Sequence, residues 1–255
     1  MSDSFDLRSL LDSWPFDPDE DARIVSVAGG RDVLQVRTPL GIEQLELEGR
    51  PDGARPYGME SVLDYHLQQL AQAKADGCED EFELNESDCA ELFGEGTLYY
   101  FRYLRLFQLK RWAETARDTE RNLRLFDLVN KFAVREEDQA YLEKWRAYVV
   151  RMHAAASAAM ALEGGSHKQA LEIVNGAIQR IETLEEMEDE TFKFERGRSL
   201  AALHDLAGQI QQTRPVSTLE RLEQQLRRAI DRQEFERAAE LRDRIRELKS
   251  RQTAK

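Results

Sequence analysis

The chain has 255 residues, 41% hydrophobic and 33% charged, with a net charge of −13 and a mean hydropathy of −0.63. That composition suits one or two soluble domains. It excludes a disulfide scaffold, because Cys78 and Cys89 are the only cysteines, and a membrane span, because no run approaches the roughly 18 apolar residues one needs.

The charge is lopsided. Residues 1–100 hold 7 basic and 23 acidic side chains, a net of −16, which leaves 29 basic, 26 acidic and +3 for 101–255. The front repels phosphates and anionic lipid, so any nucleic-acid contact must come from the back half. The N-terminus, MSDSFDLRSLLDSWPFDPDEDA, lacks the basic and apolar regions of an export signal. With so few cysteines, the expected compartment is the cytoplasm.

Residues 1–21 read as an acidic tail in which Trp14 and Phe16 are expected to tuck onto the body. Residues 22–58 hold a small β meander and a loop. RIVSVAGG and RDVLQVRTP meet at Gly29-Gly30, which supplies positive φ for a hairpin, and IEQLELEG follows. Leu34 and Val36 alternate with polar neighbours, as do Leu45 and Leu47, which predicts one buried face. GRPDGARPYG is a loop.

Residues 59–213 read as a helical body. SVLDYHLQQLAQAKADG carries Val62, Leu63, His66, Leu67 and Leu70 at helical spacing and stops at Gly77. ESDCAELFGEGTLYYFRYLRLFQLKRW follows, with Asp88 and Glu91 spaced as an N-cap pair. After Gly96, Leu98, Phe101, Tyr103, Leu104, Leu106, Phe107 and Leu109 nearly encircle a helix, which predicts a central one. Further helices are expected at about 112–131, 136–162, 167–188 and 191–212.

Within this body, MHAAASAAMALEGGSHKQALEIVNGAIQRIETL resembles a tetratricopeptide unit. Ala154, Ala158 and Ala161 line its first helix, and Ala170, Val174 and Ala177 its second. Gly164-Gly165 make the turn, and Ser166 with Gln169 form a capping box. LRLFQLKRWAETARDTERNLRLF resembles a second unit, with Trp112 after its turn. Trp112 and His167 are 55 apart, against about 34 in a regular array. The body is therefore tetratricopeptide-like, with longer connecting helices or an inserted one, or else a generic bundle of α-hairpins. The fold class is mainly α with a small N-terminal antiparallel sheet.

Residues 217–250 form the last module. Pro215 ends the preceding helix, and Ser217-Thr218-Leu219-Glu220 is a capping box. Leu219, Leu222, Leu226 and Ile230 recur at three or four residues, as do Phe235, Ala238, Leu241, Ile245 and Leu248. Only Asp231-Arg232-Gln233-Glu234 separates the two stripes, so the helices must fold back antiparallel. Glu223–Arg227, Glu240–Arg244 and Glu247–Arg251 are spaced as i,i+4 ion pairs.

LERLEQQLRRAIDRQEFERAAELRDRIRELK resembles the UVR motif, the helical hairpin of the B and C subunits of bacterial excision-repair nuclease. The match is best at EFERAAELRDRIREL, residues 234–248. The resemblance implies a protein–protein contact, in which one hairpin pairs with a like one. The motif also occurs in Clp-type chaperone ATPases and in an activator of a protein-arginine kinase, so it implies docking without fixing DNA repair as the process. LELEGRPDGARPYGMESVLDYH is similar to a region of other bacterial proteins that end in this motif, which brings no activity with it.

Catalytic signatures are missing. No G-x-x-x-x-G-K-[ST] loop and no H-E-x-x-H occur, nor does the tyrosine motif of the excision C subunit. His66, His153, His167 and His204 are scattered, and the two cysteines lack a second pair for zinc. EDEFELNESD and ETLEEMEDE lack calcium-loop spacing. No enzyme activity, cofactor or metal is expected. The expected function is an adaptor that docks through its hairpin to another protein carrying such a hairpin, or to itself as a homodimer. The contact residues are Leu222, Leu226, Phe235, Ala239, Leu241, Ile245 and Leu248 as an apolar seam, with Arg242 and Asp243 setting specificity at its edge. Replacing Phe235 is expected to loosen the hairpin and abolish docking together. The alternative is a repair or stress factor that binds DNA through the Arg-rich back half, where 219–255 hold 11 basic and 8 acidic residues.

Overall fold

The computed structural model describes residues 7–214 and 218–253, with side chains in the last two helices over 221–247. The chain divides into two compact units, Met1–Ile210 and Gln211–Lys255. The first is mainly helical with a small antiparallel sheet.

In the first unit, a short helix α1 (Arg8–Ser13) precedes β1 (Ala22–Val27), β2 (Arg31–Thr38) and β3 (Gly41–Glu46). The strands pair as the expected meander, with Ile24 opposite Leu34 and Leu34 opposite Leu45. Gly29 and Gly30 hold φ of +90° and +76°, which a side chain would strain. Leu34, Val36 and Leu47 form an apolar cluster with Leu106, and Ala22, Ile24, Leu45 and Leu109 pack around it.

The prediction of one buried face is corrected. Val33 and Arg37 on the opposite face of β2 are buried too. The N-terminal segment meets that side: Arg37 Nε donates to the Trp14 carbonyl at 2.7 Å, and the Arg23 guanidinium lies 3.9 Å from the Trp14 ring centre. Trp14 is thus anchored as expected, but Phe16 stays exposed.

The helices that follow are α2 (Val62–Ala75), α3 (Glu86–Gln108), α4 (Trp112–Phe132), α5 (Glu136–Glu143), α6 (Arg146–Glu163), α7 (His167–Glu182) and α8 (Glu190–Thr213). α3 is capped by Asn85, not by Asp88 and Glu91. The Asn85 side chain accepts from Ser87 N and Asp88 N, and Asp88, three residues into the helix, accepts from Asn85 N. The capped helix starts at Glu86, more than three turns before the apolar run that opens at Leu98, and continues through Gly94 and Gly96.

α3–α4 and α6–α7 are antiparallel hairpins, and α4 packs along α6. Ala154, Ala158, Ala161, Ala170, Val174 and Ala177 are all buried in the main core. The expected helix 136–162 is broken at Lys144-Trp145. Trp145 N bonds the Leu142 carbonyl in a tight turn, and Arg146 reaches back to Glu143 with two 2.6 Å bonds. The short α5 therefore stands as a separate element between the two hairpins. α7 ends at Glu182, earlier than expected, and Asp189 caps α8 through Phe192 N.

α3 does not turn an all-round apolar surface to the core. Phe101 is exposed, whereas Glu95, Tyr99 and Arg102 are buried. Glu95 Oε2 accepts from Val62 N at 2.7 Å and from Arg50 at 3.1 Å, while Oε1 accepts from Leu63 N and from Arg121. Arg102 forks onto Asp118 at 2.6 and 2.8 Å and donates to the Glu46 and Gly49 carbonyls. The Tyr99 ring sits between the Arg121 and Arg102 guanidinium groups, 3.8 and 4.8 Å from its centre. This network ties the loop after β3, the start of α2 and the α3–α4 hairpin together. Glu95 and Asp118 are the carboxylates its guanidinium groups share, and burial lowers the pKa of Arg121, whose Nε has no hydrogen-bond partner.

Candidate functional site: the C-terminal helical hairpin

The second unit is built from α9 (Thr218–Asp231) and α10 (Phe235–Thr253), which pack against each other. Pro215, the Ser217 cap, and the side chains of Leu219, Leu248 and Arg251 lie outside the described residues.

The turn between the helices follows from backbone bonds. Gln233 N donates to the Ile230 carbonyl at 2.9 Å and Glu234 N to the Ala229 carbonyl at 2.8 Å. This is the Schellman arrangement, which needs a left-handed residue at its centre. Gln233 fills that place at φ +59°. The turns at Gly77 and Gly165 use glycine for the same pattern, and Lys110 is the other non-glycine case. Replacing Gln233 by Gly should therefore stabilise the hairpin by about 0.5–1 kcal/mol, the αL strain relieved less the entropy Gly adds to the unfolded chain. A urea titration of hairpin helicity checks this, and a lower midpoint would contradict it.

The seam contains Ala229, Leu241 and Ile245, all buried, with Leu222, Leu226 and Ala238 half-buried beside them. Of the expected contact residues, Leu222, Leu226, Leu241 and Ile245 are thus buried or half-buried between the two helices. The expected contact residues Phe235 and Ala239, and Ile230 of the first apolar stripe, lie outside this seam. Phe235 is 71% exposed, Ala239 is exposed, and Ile230 is 53% exposed with Ala229 taking its place. The reason is geometric. Leu222, Leu226 and Ala229 follow one helical stripe that closes on the small residue nearest the turn, while Phe235 is the first residue of α10, past the end of the seam. The 222, 226, 229 spacing could have identified Ala229, but the larger Ile230 beside it drew the reading.

Arg242 and Asp243 are 64% exposed and stand 3.5 Å from each other. Arg237 pairs with Glu234 at 3.3 Å. Among the described residues, Glu240 and Arg244 form no ion pair, so that predicted contact is not made. The charges decorate the outside of the hairpin, where such pairs are worth little. No group of three or more His, Cys, Asp or Glu that could hold a metal occurs among the described residues. His66 is buried in α2, and desolvation lowers its pKa.

The unit is thus an α-hairpin with a small closed seam, a tight polar turn and an apolar tip left in solvent. Residues 217–251 match the UvrB/uvrC motif, known as UVR. No curated protein and no solved structure matches the chain. Among the described residues, no helix is long and apolar enough to cross a membrane.

Proposed function

We propose that the chain is a non-enzymatic adaptor that docks on another protein through its C-terminal hairpin. The observation that carries this reading is Phe235, 71% exposed on a folded element whose seam is already closed without it. A unit of two helices buries too little to be stable with ease, and a partner helix pair would complete its core. An aromatic side chain at the centre of a protein contact is the usual hot spot. The favoured partner is a like hairpin, on another protein or on a second copy of this chain, in a repair or stress process. Arg242 and Asp243, already paired with each other, suit the rim of such a contact more than a phosphate.

The test separates docking from hairpin closure. Phe235→Ala should leave far-UV helicity unchanged and weaken hairpin–hairpin association roughly thirtyfold, the effect of one hot-spot residue. Truncation after residue 216 should abolish association. Sedimentation velocity of each form, alone and with a second hairpin-bearing protein, reads this out. Unchanged association in both variants would remove the adaptor reading, and salt-sensitive binding to duplex DNA in its place would favour the nucleic-acid one.

A further inference from the structure

Far from the hairpin in sequence, α3, α4, α5, α6 and α8 line a cavity of about 340 Å³, and half of its lining residues carry aromatic rings. Tyr100 meets Tyr103 edge-on at 5.6 Å and Tyr148 at 6.1 Å. Phe93 stacks on Tyr141 at 4.5 Å. Tyr141 and Trp145 are exposed at its edge. The space could hold an arginine side chain or a small aromatic molecule.

Glu195 of α8 also lines this cavity and is only 6% exposed. Its Oε2 has no hydrogen-bond partner. Arg198, 57% exposed, stands 3.6 Å from Oε1, too far for a hydrogen bond, and leaves Oε2 untouched. Arg151 is the other nearby cation. Its guanidinium lies 5.1 Å from the Tyr148 ring centre and feels the Glu195 charge, but it makes no hydrogen bond to Oε2, its own Nε is left without an acceptor, and it is not part of the lining. Burial raises the Tyr103 phenol well above its usual range and pushes Tyr148 to about 12, so both remain neutral at physiological pH.

Aromatic faces attract cations, most strongly where water is excluded. A buried carboxylate oxygen without a donor calls for one. Arg198 also lines the cavity, but its charge is mostly in solvent whereas that of Glu195 is buried, so the carboxylate sets the local field: an anion would meet it as a like charge, and a neutral apolar guest would leave Oε2 unpaired. We propose that this cavity binds an organic cation, an alkylated ammonium or a guanidinium-type group, with its charge on Glu195 Oε2 and its body against Tyr100, Trp145 and Tyr148.

Benzamidinium chloride and its neutral isostere benzamide separate charge from shape. In isothermal titration of the full chain, benzamidinium should bind at least about tenfold more tightly. Glu195→Gln should erase that difference. Trp145→Ala, at the exposed edge, should weaken benzamidinium more than benzamide, and it keeps the test valid if Glu195→Gln disturbs folding. Equal binding of the two compounds, or a preference unchanged in both variants, would overturn the proposal. Agmatine and a blocked alanine-flanked arginine peptide then distinguish the source. Tighter binding of agmatine points to a free small molecule, tighter binding of the peptide to a side chain of a partner protein, and binding of neither would overturn the site.

Discussion

Replacing Glu95 by alanine should lower the stability of the first unit by about 4 kcal/mol, the cost of breaking a buried ion pair from one side. The Glu95 carboxylate is fully buried and is the shared acceptor for Arg50, Arg121 and two backbone N–H groups at the start of α2. Without it, Arg121 keeps its charge in a place water scarcely reaches, and the first turn of α2 loses an anion at its positive end. For a unit of this size the expected fall in melting temperature is roughly 8–16 °C. Salt should not restore it, since a buried pair is screened little. Thermal and urea unfolding measure the loss, and a change below about 1 kcal/mol would show that the network contributes little net stability.

That residue also shows where sequence reasoning stops. In LFGEGT a glutamate between two glycines carries no apolar signal, and nothing local announces that three other segments converge on it. Its partners are 26 to 45 positions away. Arg102 and Asp118 were hidden in the same way, as charged residues in helices whose faces are fixed only by packing. The break at Lys144-Trp145 carries no Gly or Pro, so the pattern ran straight through it. What was legible was local. Gly29-Gly30 with flanking alternation set the β meander, the alanines of α6 and α7 marked their buried faces, and Leu222, Leu226, Leu241 and Ile245 marked the hairpin seam. Periodicity said which residues share a face, but not which apolar residue at the end of a stripe is left outside. Phe235 fell on that ambiguity, and its exposure separates two roles that the sequence had merged.

The separation has a sharp consequence. Leu241→Asp should unfold the hairpin, whereas Phe235→Asp should leave it folded. Leu241 is one of only a few side chains buried in the seam among the described residues, and a carboxylate there has no donor within its own unit's apolar stripe. The cost of several kcal/mol matches or exceeds what a two-helix unit has in reserve. Helices of 14 and 19 residues should then lose their far-UV signal and their amide protection. The melting transition of the first unit, a separate compact body with its own core, should persist. Phe235→Asp places the same charge in solvent at the first position of α10, where the helix dipole favours it, so helicity should hold while association is lost. Equal loss of helicity in both variants would put Phe235 back among the residues that close the hairpin, and equal retention would mean that Leu241 does not hold it shut.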